Sequence, residues 1–147
     1  MSELSGYAFS SLREGDIALY CGAGNSLAPI LLVAAAEASA VERLQHEFSL
    51  KAELDGDWAA RPTALTNYNG RMALVLEHPG GEPLDRLLGR PLDVPHFLRV
   101  AIPLAGALRR VHERGLIHKD VKPANILADP AGRGVADQVR DCFASAA

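Results

Sequence analysis

Within residues 118–127, three side chains could do chemistry together: Asp120, Lys122 and Asn125. A loop Asp can accept a proton from a substrate hydroxyl, and an Asn five residues on can offer its amide oxygen to Mg²⁺ beside nucleotide phosphates. Solvated Asp, Asn and Lys are common in loops, so any one of the three has an ordinary explanation. The set is different. His118, Lys119, Asp120, Lys122, Pro123 and Asn125 stand at fixed spacing, directly after an apolar helical pattern and directly before the β-prone Ile126 and Leu127.

This segment resembles the catalytic loop of protein kinases. Lys119 stands where that family usually has Arg, and Lys122-Pro123 follows the Asp as in serine/threonine kinases. The resemblance implies Asp120 as general base, Lys122 on the transferred phosphate and Asn125 as a Mg²⁺ ligand. It further implies ATP and Mg²⁺ as cofactors and a protein hydroxyl, or a protein partner, at the other side of the reaction.

The elements that must position such a loop are marked by local patterning. Residues 1–15 read as a polar lead-in, with Tyr7 and Phe9 able to pack on the first regular element. Residues 17–21 and 29–33 read as strands joined by a glycine-containing turn at 22–26. In kinases the first hairpin covers the ATP phosphates, and Gly22 and Gly24 supply part of that pattern. Leu27 takes the place of its third glycine, and a plain hairpin turn accounts for both glycines equally well. The family also places a Lys on the third strand; residues 30–36 contain none, and strand order aligns Val33 with that position.

Ser39 with Glu42 predicts a capping box, and Val41, Leu44 and Phe48 predict an amphipathic helix running to about Leu54. Glu47 falls where the kinase ion-pair Glu would sit; without the Lys it reads as a solvated or edge-of-core carboxylate. Asp55, Gly56 and Asp57 end that helix, and Trp58 lies in the connection after it. Asn69-Gly70 predicts a second hairpin, between residues 64–68 and 71–77. Glu77, His78, Pro79, Gly80 and Gly81 read as a linker, which the resemblance makes the adenine-binding hinge, with His78 exposed.

Leu84, Leu87 and Leu88 suggest a short helix. Asp93 then predicts the N-cap of a long one that buries Phe97, Val100, Ala101, Leu104, Leu108 and Val111, is kinked by Pro103 and is closed by Gly115. His96 and His112 read as cap or surface residues. Beyond Leu127, a turn over 128–134 and a weak helical stripe over 135–143 are expected, and no Asp-Phe-Gly occurs. The resemblance therefore implies an α+β, kinase-like fold. Residues 1–77 form an antiparallel-sheet small lobe with one helix; residues 78–147 form the hinge and an incomplete helical large lobe.

With 147 residues, 48% hydrophobic and 22% charged, the chain can bury a core. A net charge of -3 offers no electrostatic basis for nucleic acid, and no apolar run is long enough to cross a bilayer. Cys21 and Cys142 fit no metal or redox spacing, which points to a reducing cytoplasm. Residues 74–84 look closest to the kinase-like domain of large bacterial sensor kinases. The expected function is ATP-dependent phosphorylation of a protein Ser/Thr hydroxyl, with this chain incomplete and inactive alone. The alternatives are a pseudokinase-like binding module and a truncated gene product without function.

Overall fold

The computed structural model describes residues 4–54, 59–118, 121–128, 138–139 and 143–145. The chain divides into two compact units, residues 1–52 with 61–78, and residues 53–60 with 79–147.

The first unit is a five-stranded antiparallel sheet: β1 (Ala8–Arg13), β2 (Ile17–Gly24), β3 (Leu27–Ala35), β4 (Pro62–Tyr68) and β5 (Arg71–Glu77), in the order β1-β2-β3-β5-β4. β3 is the central strand, and its residues 31–35 are all fully buried, as expected of a strand covered on both faces. Alternation sends Leu32 and Ala34 to one face, where they join Leu4, Ala73 and Val75 under Phe9, Tyr20 and Tyr68. The rings pack at steep angles, Phe9 5.0 Å and Tyr20 5.3 Å from Tyr68. Leu31, Val33 and Ala35 take the opposite face, together with Leu19, Leu74 and Leu76. Helix α1 (Ala38–Ser49) packs against β3, β4 and β5.

The second hairpin turns as its Asn-Gly demands. Asn69 (φ 50°) and Gly70 (φ 76°) both take the left-handed conformation, and Asn67 Oδ1 accepts from the Gly70 amide at 3.2 Å.

Three local expectations are corrected. Residues 8–13 are not lead-in but an edge strand paired to β2; their apolar residues are sparse because one face of an edge strand stays wet. The capping box does not form. Only Ala36 and Glu37 separate β3 from the helix, so Glu37 becomes the N-cap, without a side-chain bond, and Ser39 and Glu42 fall inside the first turns. The helix also ends at Ser49; Leu50 and Leu54 are buried from the turn after it. Residues 55–58, Trp58 among them, lie outside the described residues.

The second unit holds the long helix α2 (Val94–Glu113). Asp93 caps it as expected, its carboxylate accepting from the His96 amide at 2.7 Å. Pro95 sits in the first turn, where its missing N–H costs nothing. Gly115 (φ 72°) reverses the chain, donating to His112 O at 3.0 Å. The helix runs through Pro103 without a break. Four short strands accompany it: β6 (Glu82–Pro83), β7 (Leu116–His118), β8 (Ile126–Ala128) and β9 (Gln138–Val139), with β10 (Phe143–Ser145) after them. β8 lies between β6 and β9, and β10 pairs with β7. Where residues 135–143 are described they are strand, not helix. A short apolar run carries too few turns for periodicity to choose between the two. Residues 129–137 and 140–142, Cys142 included, lie outside the described residues.

The apolar stripe of α2 is buried in its C-terminal half and open at its start. Val100, Ala107 and Val111 are buried and Leu104 packs on Leu84, Ile126 and Ala128, whereas Phe97 is 54% exposed and Val94 and Ile102 more so. Phe97 thus departs from the expected buried set. An apolar surface of this kind binds hydrophobic dyes. Ile102→Glu is expected to lower dye fluorescence with little change in melting temperature; unchanged fluorescence would place the dye site elsewhere.

Candidate active site

Once Gly115 has reversed the chain, the fully buried Leu116 of β7 fixes the start of the loop. Lys119 and Asp120 lie outside the described residues. Lys122 is extended and exposed, and it leads into a single 3-10 turn, Pro123–Asn125. Pro123 presets the turn's first φ, and the Asn125 amide closes it on Lys122 O at 2.9 Å. Asn125 is 2% exposed, and Ile126, Leu127 and Ala128 directly after it are equally buried. One turn therefore sends the Lys side chain to solvent and the Asn amide inward. Apolar strand β8 anchors the turn.

The linker has its own backbone ties. The Glu77 amide donates to Arg61 O at 2.9 Å while its side chain is exposed, and the His78 amide reaches Pro29 O at 3.4 Å. His78 is half-buried rather than exposed, and desolvation lowers the pKa of its imidazole. Gly80 (φ 96°) and Gly81 (φ 78°) both need left-handed backbone.

Gly22 and Gly24 lie within β2, not in the turn, which Asn25 and Ser26 (φ 60°) make alone. A Cβ on Gly22 would meet Phe9 Cε1 at 2.7 Å and Ile30 Cγ1 at 2.9 Å; one on Gly24 would meet Gly6 O at 2.5 Å. Segment 4–9 lies across them, with Tyr7 Oη donating to Ala28 O at 2.8 Å. Close packing of the chain's own residues thus supplies a reason for both glycines, independent of any phosphate.

Val33 is 0% exposed and pairs with Leu19 and Leu74. Glu47 is 3% exposed, so of its two readings, solvated or edge-of-core, the solvated one is excluded. The cause is helix phase: Ala40, Leu44 and Glu47 succeed one another at i, i+4 and i+7 on the face that α1 turns to the sheet.

The chain is similar in sequence to known proteins. Serine/threonine-protein kinase PknA of Mycobacterium tuberculosis is 36% identical over 115 residues, covering 64% of this chain. Serine/threonine-protein kinase pkn3 of Myxococcus xanthus is 32% identical over 96 residues, again 64% of this chain. PknK of M. tuberculosis is 40% identical over 65 residues, 43% of this chain. The chain is related to the serine/threonine protein kinases. It spans 27%, 16% and 6% of the length of those three kinases. No protein-family model matches it.

Against the kinase pattern, the α+β sheet with its single helix fits the small lobe, and α2 with the loop fits part of the helical lobe. For Mg²⁺, the buried Asn125 offers one oxygen donor of the right kind, and among the described residues no three His, Cys, Asp or Glu side chains cluster as a metal site. That donor set is too small to derive a metal-dependent step from it. Cys21 is half-buried, and burial raises the pKa of its thiol, which makes it a poor nucleophile.

Two outcomes are expected. Gly22→Ala should destabilise the chain by about 1–3 kcal/mol through overpacking on Phe9 and Ile30, read as a lower midpoint in urea. A glycine needed only for phosphate approach would leave that midpoint unchanged. His78, with its folded pKa below the unfolded value, binds fewer protons in the native state. Stability should therefore be full above about pH 6.5 and fall as pH drops below it. His78→Gln should flatten that fall in urea titrations at pH 7 and pH 5, and an identical slope in the variant would remove His78 as its cause.

Proposed function

We infer that this chain carries the nucleotide-lobe and catalytic-loop elements of a serine/threonine protein kinase, for phosphoryl transfer from ATP to a protein hydroxyl. In that reading Asp120 would accept the hydroxyl proton, the exposed Lys122 would neutralise the transferred phosphate, and Asn125 would be one oxygen donor to Mg²⁺, which would supply charge neutralisation at the phosphates. Adenine would meet the linker at Glu77 and His78 through groups other than their amides, which donate to Arg61 O and Pro29 O. ATP and Mg²⁺ are the cofactors, a protein Ser/Thr the acceptor, and a reducing cytoplasm the compartment. Among the described residues no helix is long and apolar enough to cross a membrane. The observation carrying this reading is the turn from Lys122 to Asn125, which splits an exposed cation from a buried amide at the spacing phosphoryl transfer uses.

A specific observation favours a second reading, a binding or signalling module with a pseudokinase-like lobe. Val33 stands sealed in the sheet where a phosphate-pairing Lys would be expected, so β3 brings no positive charge to the nucleotide. Under both readings the chain as it stands holds ATP weakly. Little thermal shift is expected with millimolar Mg-ATP, and a shift of several degrees is expected for Val33→Lys, whose ammonium would emerge on the face that carries Glu47. In the Val33→Lys chain any transfer to a protein hydroxyl should fall about 10²- to 10⁴-fold on Asp120→Ala. Transfer indifferent to Asp120 would overturn the kinase assignment; an absent shift in Val33→Lys would favour the binding module.

A further inference from the structure

The linker does more than join two segments, because its second glycine is wedged against the strand beyond the catalytic loop. A Cβ on Gly81 would lie 2.7 Å from Ala128 O, 3.0 Å from Ala128 C and 3.3 Å from Ala128 N. All three are backbone atoms and cannot swing aside as a side-chain end can. Immediately after this contact, Glu82 pairs with Ala128 and Pro83 with Leu127, and the 3-10 turn Leu84–Arg86 packs against the turn Pro123–Asn125. Leu84 shares a buried cluster with Ile126 and Ala128. From Gly81 to Arg86, then, the linker runs alongside residues 123–128, and Asn125 sits three residues before the carbonyl that Gly81 touches.

We propose that Gly81 is a positioning residue for Asn125: its missing side chain lets the linker backbone close on Ala128, and that contact sets the place of β8 and of the buried amide before it. The role of Asn125 as a Mg²⁺ donor rests on the function proposed above; the positional coupling does not. Gly80 provides a matched control inside the same molecule. Its φ is 96°, so any substitution there is strained as at Gly81, yet a Cβ on it would meet nothing within 4 Å.

Gly81→Ala and Gly80→Ala are compared in the full chain by NMR, tracking the side-chain amide resonances of Asn125 and the backbone amides of residues 125–128. Gly81→Ala is expected to move the Asn125 signals and to speed amide exchange at 126–128 by about tenfold or more; Gly80→Ala, which adds the same backbone strain without the clash, should leave them in place. Equal effects from both variants would reduce Gly81 to a backbone-strain position and overturn the proposal. Should Gly81→Ala not fold, wild-type exchange decides: the amides of Glu82, Leu84 and residues 126–128 must open with one common rate, and separate rates refute the coupling. Mn²⁺ with ADP then tests the underlying reading separately. Broadening of the Asn125 signals in the wild type supports the metal role, whereas absent broadening counts against that role and leaves the Gly81 result standing.

Discussion

Strand β3 is the constraint on which the first unit depends. It pairs with β2 on one side and β5 on the other, and its five residues 31–35 have no exposed surface. A strand buried on both faces admits only apolar side chains unless a charge finds a partner, since an unpaired buried charge costs more than the strand gains. The run of Leu, Val and Ala at 31–35 obeys that rule throughout. α1 covers one face and the aromatic group of Phe9, Tyr20 and Tyr68 the other. The two hairpins hang from the same strand or its neighbour, so their turns are fixed by the register of β3.

The second unit rests on a comparable device of smaller size. β8 has only three residues, yet all are buried, and it is held by β6 on one side and β9 on the other. A strand this short has little ladder energy of its own. Its place comes from the cluster of Leu84, Val100, Ile126 and Ala128 and from the backbone approach of Gly81. The apolar residues Ile126 and Leu127 thus serve Asn125 by pinning the chain behind it.

Most of the architecture is legible in the amino-acid sequence. Asn69-Gly70 and Asp93 announce their turn and cap because each position tolerates few residue types, and both form as read. Longer periodic segments are equally clear, α2 and β5 above all. Short or context-set features are not. Ser39 has the chemistry of a cap, but the distance left after β3 decides where the helix starts, and Ser39 lies two residues too late. β1 escapes notice because only Phe9 of its residues joins the apolar cluster of the sheet, too little for a periodic pattern. Gly22 and Gly24 read as turn glycines because nothing local shows that Phe9 and Gly6 come back across them. In the candidate site, the exposure of Lys122 and the burial of Asn125 cannot be separated from spacing alone, since both belong to one polar loop and only the 3-10 turn divides them.

Val33 and Glu47 take the departure from the kinase pattern to a physical conclusion. Both lie on the side of the sheet that α1 covers, and both are buried. A Lys at 33 would have to lose most of its hydration there, and an ionised Glu on the facing helix would offset that loss through Coulomb attraction in a poor dielectric. Replacing the Lys by Val removes one desolvation cost and adds apolar burial of about 1.5–3 kcal/mol. The sheet therefore does not need a cation at this position to fold. Within the second unit the turn from Lys122 to Asn125 rests on β6 and β8, so its shape is set by contacts in which β3 takes no part.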